Sequence, residues 1–534
     1  MEPTAQQRQA TRRHFLQATA AGAAWAAWPA AAPAAASAAS AVPAPAQPAW
    51  WGLDATDLAA ALRAGEITPL QALDSTLERV AALPRLNAVV LPDYERARRS
   101  AQQLSTLGRA ARAQATQQAP LWGVPFTVKD LHADVQGMAL RNGSRMYADH
   151  VSTRDSTLVQ RYKAAGLQIF AKTASPELGL TATTESALHG RTCNPWNPAL
   201  SAGGSSGGAA AVVAAGISPI AQASDGGGSI RMPASFCGVF GLKPSRGRMP
   251  MGPQQLEGWM GLSTQHAITR TVRDSALLLD VGQGPEAGSR VTPPKDVPGS
   301  YVQALQLPPE RGLRIAVWRS NYFQVPVHPE HLAALDAAVA LCQALGHTVH
   351  EAMPQLPVAE IYGAMGVATS LGVASTVAAR EQQLGRALRD DELEPMTRAS
   401  AAAGAKPTAA QVYAARAQLD TAGQLLDVFM QDYDLILTPT TAVPTPELGQ
   451  LGLDQPYDTY VQRMMAVTSF VSLFNLTGQP AMSVPLHWSA VGLPVGVQFV
   501  AGYGREGRLL RLAAQLEQAA PWAQRQPNLA ALQA

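Results

Sequence analysis

Two clusters rich in glycine and serine constrain the fold of this chain more than any other feature. Residues 201–208 read SAGGSSGG, and residues 224–231 read SDGGGSIR. Glycine inside regular structure lowers stability, because it loses the most backbone freedom on folding. So many glycines close together therefore indicate places where a ligand or another backbone segment comes very near.

A flexible linker and a phosphate-binding loop are two alternative interpretations of these clusters. Linkers lie between domains among polar residues, but the apolar stretch SIRMPASFCGVFGLKPSRG (229–247) overlaps and continues the second cluster. Glycine amides at a helix start can also hold an anion. The chain, however, has no GxxxxGK[ST] pattern and no strand–GxGxxG–helix unit with its acidic partner. Both interpretations are therefore disfavoured.

Apolar runs typical of buried strands alternate with helical segments along the chain. VPFTVK (124–129) and GLQIFAKTA (166–174) are strand candidates, and later candidates are LRIAVW, DLILTP, AMSVPL and VGVQFVAGY. This alternation predicts a single large α/β domain, with a central, mostly parallel mixed sheet covered by helices on both faces. We expect the domain at residues 51–525, with its catalytic core at about 120–250 and a helical cap insertion at about 356–460.

The first 46 residues predict an export signal of the twin-arginine type. The pair Arg12 and Arg13 precedes Phe15 and Leu16, and a mildly apolar segment rich in alanine and proline follows, with small-residue A-x-A sites. An alanine- and proline-rich tail that carries two arginines by chance is the alternative. We expect a periplasmic or secreted protein.

Charge and cysteine usage exclude several classes of function. Beyond residue 50 the chain carries 38 basic and 38 acidic side chains, so no electrostatic footprint for nucleic acid or anionic lipid is expected. The sequence contains no run of eighteen strongly apolar residues, so stable membrane insertion is not expected. Three cysteines cannot build a disulfide framework. The expected partner is therefore a small molecule.

A serine in a glycine-rich turn is well placed for nucleophilic catalysis. The turn exposes the hydroxyl and can direct several backbone N–H groups at one point, as an oxyanion hole requires. Such a serine also needs a base. His132 and His189 are the nearest histidines along the chain, and neither has a catalytic context. Lys129 ends an apolar strand and would serve as base if burial lowered its pKa.

Three motifs together resemble the amidase signature family. They are PFTVKD, GGSSGGAAA and ASDGGGSIRMPASFCGVFGLKPSRG, in the family order, with Ser229 24 positions after Ser205. The resemblance runs from about Trp51 to about Glu517. It implies hydrolysis of a carboxylic amide, linear or cyclic and other than a peptide bond, with neither metal nor organic cofactor.

The resemblance also implies roles for individual residues. Ser229 resembles the nucleophile that forms the acyl-enzyme, Ser205 the cis-serine that relays a proton, and Lys129 the base of a Ser-cisSer-Lys triad. The residues expected to supply oxyanion N–H groups are Gly226, Gly227 and Gly228, with Ser229. The residues expected to support the glycine turns are Ser206, Asp225 and Arg231.

The substrate is less closely defined by the sequence. Segments SDGGGSIRMPAS, GRMPMGP and STQHAITRTVRDSALLLD most resemble family members that hydrolyse cyclic dimers of aminohexanoate, which favours cyclic or linear aminohexanoate-type oligoamides. Aryl acylamides, carbamates and esters are alternative substrates, and we expect specificity to reside in the region 301–460. An amidotransferase subunit and a non-catalytic binding protein on the same fold are alternatives of another class.

Overall fold

The computed structural model of the protein describes residues 49–533, and the predicted export signal at 1–46 lies outside the described residues. The strands are β1 (Val89–Pro92), β2 (Pro125–Lys129), β3 (Gln168–Thr173), β4 (Glu185–Ser186), β5 (Gly190–Arg191), β6 (Cys193–Asn194), β7 (Asn197–Ser201), β8 (Ile220–Asp225), β9 (Phe240–Lys243), β10 (Thr264–Thr269), β11 (Arg314–Val317), β12 (Thr348–Glu351), β13 (Leu435–Pro439), β14 (Ala481–Trp488) and β15 (Pro494–Ala501).

The α-helices of the same residues are α1 (Ala55–Ala64), α2 (Pro69–Ala82), α3 (Tyr94–Ser105), α4 (Arg109–Thr116), α5 (Thr157–Ala164), α6 (Gly207–Ala214), α7 (Arg231–Cys237), α8 (Val272–Gly282), α9 (Tyr301–Ala304), α10 (Pro329–Ala344), α11 (Val358–Leu384), α12 (Pro395–Gly404), α13 (Ala409–Phe429), α14 (Tyr457–Thr468), α15 (Leu473–Thr477) and α16 (Glu506–Ala519).

One mixed sheet of 11 strands forms the centre of the molecule, in the order β1-β3-β2-β8-β10-β9-β14-β15-β13-β11-β12. The predicted α/β class and mixed central sheet are confirmed. Parallel pairing, however, does not dominate. Four of the ten neighbouring pairs are parallel and six are antiparallel.

Both faces of the sheet are covered by helices, because the strands bury apolar side chains on each side. Along β13, Leu435 and Leu437 join one core, which includes residues of α1, α5, α8, α10 and α16. Ile436 points to the opposite face and packs with residues of α11, α13 and α15. A further cluster contains residues of α2, α3, α6 and α7. This alternation is what a strand buried on both faces requires.

The region 356–460 contains three complete helices, α11, α12 and α13, and the start of α14, but also β13, which is a central strand of the sheet. Helix α11, with 27 residues, is the one helix between residues 49 and 533 that is long and apolar enough to cross a membrane by length and composition. It packs against α12 and α13, and one of its sides faces the glycine turn described below.

Candidate active site

Lys129 lies at the end of β2 and is completely buried. Its neighbours Phe126 and Val128 point into one core, so the pleat of the strand places the Lys129 side chain on the opposite face. There the Nζ atom meets three hydroxyl oxygens, those of Ser205 at 2.7 Å, Ser206 at 2.9 Å and Ser224 at 3.0 Å. The sequence predicted the first of these contacts and missed Ser224.

Burial changes the acid–base behaviour of this amine. It lowers the pKa of Lys129 to about 7, against the opposing effect of the Asp225 carboxylate. Desolvation disfavours the charged ammonium form, and no carboxylate within residues 49–533 forms an ion pair with Nζ. A substantial fraction of the amine is therefore neutral near pH 7 and able to accept a proton.

The hydrogen bonds around Nζ restrict which hydroxyl can supply that proton. A neutral amine has two N–H donors and one lone pair, so one of its three hydroxyl partners must donate to it. The Ser206 hydroxyl already donates to the carbonyl oxygen of Ser224, at 3.0 Å. The donor to the neutral amine is therefore the hydroxyl of Ser205 or of Ser224.

Ser205 follows a cis peptide bond with Gly204 in the turn before α6. Gly204 has no room for a side chain, since an added Cβ would lie 2.6 Å from the carbonyl oxygen of Thr181 and equally close to the Thr183 nitrogen. A Cβ added to Gly179 would lie 3.1 Å from the Ser205 hydroxyl oxygen. The glycines of the first cluster are thus required by close packing around Ser205.

Ser229 lies in the second glycine turn, before α7, and is the most accessible of the three residues predicted to form the triad. It keeps 8% of its surface exposed, compared with 2% for Ser205 and 0% for Lys129. The two serine turns are joined by a hydrogen bond from the Ser206 N–H to the Ser229 carbonyl, at 3.2 Å. No hydrogen bond links the side-chain hydroxyls of Ser205 and Ser229 in the described part of the chain.

Asp225 shapes the second turn through its carboxylate. One oxygen accepts the N–H of Gly228 at 2.7 Å, and the other accepts the N–H of Ile230 at 3.0 Å. The predicted oxyanion donor Gly228 is therefore already engaged. The turn N–H groups that donate to no protein acceptor within residues 49–533 are those of Gly226, Gly227 and Ser229.

A buried ion pair holds Asp225 in place. Arg231, also 0% exposed, donates to both carboxylate oxygens at 3.0 Å, and its remaining N–H groups reach Asn475 and Gln498. Burial alone would raise the pKa of Asp225, but the Arg231 guanidinium holds it below its usual range. Asp225 and Arg231, both predicted to support the glycine turns, thus contact each other directly. Neither Asn475 nor Gln498 was predicted, since both are more than 240 residues away in sequence.

An apolar wall stands over the glycine turn. The Trp259 ring lies against Gly226, where an added Cβ would be 2.8 Å from Cζ3, and against Gly372 of α11, where it would be 2.5 Å from Cδ1. The Met365 methyl group, also from α11, faces Gly227, where an added Cβ would lie 3.3 Å from it. The glycine turn thus lies beneath aromatic and thioether surface that the sequence did not predict.

A cavity of about 720 Å³ lies beside these residues and includes none of the three predicted to form the triad. Its wall includes Glu177, which is two residues from Gly179 and hence from the Ser205 hydroxyl. Seven carboxylates and three arginines line it: Glu177, Glu185, Asp390, Asp391, Glu392, Glu394, Asp454, Arg145, Arg191 and Arg398. The cavity is therefore a compartment beside the two glycine turns rather than a part of them.

Neither histidine considered as a base contacts a triad hydroxyl in residues 49–533. His189 pairs with Asp130 at 3.0 Å. Burial, reinforced by the charge of Lys129, lowers the pKa of His132 to about 4. The described part of the chain also holds no group of three or more His, Cys, Asp or Glu side chains arranged for a metal ion.

Comparison with known proteins gives extensive matches. Residues 71–510 match the family described as Amidase. The chain is 36% identical to the 6-aminohexanoate-cyclic-dimer hydrolase of Paenarthrobacter ureafaciens, over 89% of this chain and 96% of that protein. It is also 36% identical to an acylamidase of Rhodococcus erythropolis, over 89% of this chain and 97% of the other. A solved structure of 6-aminohexanoate cyclic dimer hydrolase superposes with a TM-score of 0.81, at 35% identity, covering 90% of this chain and 99% of that one.

These matches define the class of protein, a hydrolase that acts on linear or cyclic amides. The chain belongs to the amidase signature family.

Proposed function

We propose that this protein cleaves carboxylic amides through an acyl-enzyme on Ser229, with Ser205 as proton relay and Lys129 as base. The observation that carries the proposal is the buried Lys129 amine, whose Nζ lies 2.7 Å from the Ser205 hydroxyl. The pKa of this amine is lowered to about 7 by burial, which leaves it able to accept a proton. Ser229 keeps 8% of its surface exposed, more than Ser205 or Lys129, which supports it as the hydroxyl that attacks the substrate carbonyl.

The reaction begins when Lys129 takes the proton of Ser205. Ser205 accepts the proton of Ser229 as that oxygen forms a bond to the amide carbon, and the carbonyl π electrons move to oxygen. The relay then returns a proton to the amide nitrogen, which would otherwise leave as a very poor anion. The C–N bond breaks and the amine departs. Water, deprotonated by the same relay, attacks the ester, and Ser229 recovers its proton as the acid leaves.

The negative oxygen of the tetrahedral intermediate needs donors that do not have to rearrange. The N–H groups of Gly226, Gly227 and Ser229 fit this role, since they have no acceptor within residues 49–533. Asp225 fixes the turn by engaging Gly228 and Ile230. Each such donor contributes about 10²–10³ in rate in comparable enzymes.

We further propose aminohexanoate-type oligoamides, cyclic or linear, as substrates. Support comes from the relatives named for hydrolysis of the aminohexanoate cyclic dimer and from the wall formed by Trp259 and Met365. This wall offers apolar surface to a methylene chain next to the reacting carbonyl. The relative named acylamidase makes acylamides the second class to test, and carbamates and esters the third.

A hydrolysis panel tests these proposals. The purified enzyme is assayed against the cyclic and linear aminohexanoate dimers, an aryl acylamide, an aryl carbamate and an aryl ester, alongside Ser229→Ala. Ser375→Ala is the matched control, because Ser375 is exposed on α11. We expect Ser229→Ala to lose all turnover and Ser375→Ala to keep it. In the natural protein, rapid quenching should show an acyl adduct at Ser229. Equal turnover by Ser229→Ala would refute the nucleophile. Turnover of the aryl acylamide without either dimer would refute only the substrate.

We also propose export from the cytoplasm, supported by the arginine pair and the alanine-rich segment that follows it. Cell fractionation of the full chain and of the Arg12→Lys/Arg13→Lys double variant tests this proposal. Periplasmic or extracellular enzyme for the natural chain, and cytoplasmic retention of the double variant, are expected. Equal distribution of both would overturn it.

A further inference from the structure

A second, smaller cavity lies at the far end of α6 from the serine turn. Its volume is about 100 Å³, and the carboxyl end of α6 forms part of its wall. Arg79, Arg270 and Arg525 line it, together with Trp51 and Trp196, and no aspartate or glutamate does. A cavity lined by three guanidinium groups and no carboxylate stands out in a chain whose charges are otherwise balanced.

Two of these arginines approach each other across Gly216. A Cβ added to Gly216 would lie 3.4 Å from an Nη atom of Arg79 and 3.6 Å from an Nη atom of Arg270. Burial lowers the pKa of both guanidinium groups, and the charge of Arg270 lowers the pKa of Arg79 further. The two guanidinium groups are thus like charges held close together in a partly desolvated part of the cavity wall.

Most of the hydrogen-bond donors of this pair have no acceptor among residues 49–533. A guanidinium carries five N–H donors. Arg79 donates one, from Nε to the Ala215 carbonyl at 2.8 Å, and Arg270 donates one, to the Gly52 carbonyl at 3.4 Å. Within residues 49–533 neither arginine forms an ion pair with a carboxylate. The donors that have no acceptor in the described part of the chain can bind one in the cavity.

The nearest carboxylates are committed to other partners. Asp54 binds Arg273 through both oxygens, and Asp274 accepts the N–H groups of Ala55 and Thr56 at the start of α1. The partial negative charge at the carboxyl end of α6 accounts for the Arg79 bond to Ala215. It does not account for the second guanidinium beside it.

We propose that this cavity binds one small oxyanion, a carboxylate or a phosphate, between Arg79 and Arg270. Planar guanidinium groups match the oxygen pairs of carboxylate and phosphate. A volume of about 100 Å³ has room for about three water molecules, which admits such an anion and excludes a nucleotide. The cation–π contact of Arg79 with Trp51, at 4.5 Å, keeps its guanidinium oriented for this role.

Calorimetric titration of the full chain with inorganic phosphate, and separately with acetate, tests the proposal at ionic strength matched with sodium chloride. Saturable binding with one site per chain is expected for at least one anion. The anion with the lower Kd identifies the source, phosphate-like or carboxylate-like. At ten times Kd the same anion should raise Tm by about 2 °C.

Arg79→Gln and Arg270→Gln should each abolish this binding while retaining amide hydrolysis, since neither residue belongs to the triad or the glycine turns. Arg99→Gln is the matched control, because Arg99 is exposed on α3 and its removal changes net charge equally. Arg525→Gln, at the exposed rim, should weaken binding and serves as the second test if the Arg79 or the Arg270 variant fails to fold. Non-saturable binding, or an equal loss in Arg99→Gln, would overturn the proposal.

Discussion

Lys129 and Lys243 are two lysines with similar burial and different hydrogen-bond partners. Both end a strand, both are at most 2% exposed, and burial lowers the pKa of each to about 7. The Asp225 charge opposes the shift in both. Lys129 meets three serine hydroxyls, whereas Lys243 donates to the Pro244 carbonyl at 2.9 Å.

The difference teaches what makes a buried amine a base. A lowered pKa provides a neutral amine, but the amine also needs a partner with a proton to give. A carbonyl oxygen has none, so Lys243 can only donate. The hydroxyls around Lys129 can donate or accept, and one of them, that of Ser205, is the proposed relay to Ser229. The pKa alone would therefore not single out the residue that acts as base.

Removing each lysine amine in turn should give the largest difference in kcat between the two sites. Lys129→Met should lower kcat for amide hydrolysis by at least about 10³-fold, within the range for a general base. Lys243→Met should keep kcat close to that of the natural protein, because its amine contacts no hydroxyl. Initial rates on the substrate identified by the panel, with circular dichroism as a check of folding, measure both. Comparable losses in the two variants would contradict the assignment of the base.

The next effect is the pH dependence of the reaction. Protonation of Lys129 removes the base, so kcat/KM should be constant well above pH 7 and fall about tenfold per pH unit below it. The midpoint should lie near 7, where burial places the pKa of Lys129. Lys243→Met should leave this midpoint unchanged. A profile that stays flat down to pH 5 would show that another group accepts the proton.

Protein stability tests the feature that the two lysines share. Both have a folded-state pKa below the usual value of about 10.4, so the unfolded chain binds more protons between about pH 7 and pH 10. Stability should therefore rise with pH across this window, by up to about 1.4 kcal/mol per pH unit for each lysine. Urea unfolding at pH 7.5, 8.5 and 9.5 measures the slope. Lys129→Met and Lys243→Met should flatten it equally, and unequal changes would contradict their equivalent burial.

The local part of the site could be predicted from the sequence, because it depends on short-range patterns. Alternation in VPFTVK places Lys129 opposite Val128, and the two glycine clusters mark the turns around Ser205 and Ser229. The contact between Asp225 and Arg231 is also short-range, since the two are six residues apart. The short-range pattern does not distinguish Lys243 from Lys129, because both lysines end an apolar strand.

The rest depends on contacts between distant segments. Asn475 reaches Asp225 from 250 residues away, and α11 brings Met365 over Gly227 through packing that no local pattern specifies. One feature of the sheet was readable but missed. Only five residues, SAVGL, connect β14 to β15, and so short a connection requires an antiparallel pair. This signal identifies one of the six antiparallel pairs.

Ser224, the partner of Lys129 that the sequence missed, gives the smallest and most discriminating test. Ser224→Ala removes one hydroxyl, at 3.0 Å from Nζ, and makes the amine more like that of Lys243. If Ser205 is the relay, the loss should be about 2–10-fold in kcat, the size of one hydrogen bond. The acid limb of the pH profile should move to lower pH, because the ammonium form loses an acceptor. A loss as large as that of Lys129→Met would instead place Ser224 on the proton path, since only Ser205 and Ser224 have a hydroxyl proton free to donate to the neutral amine.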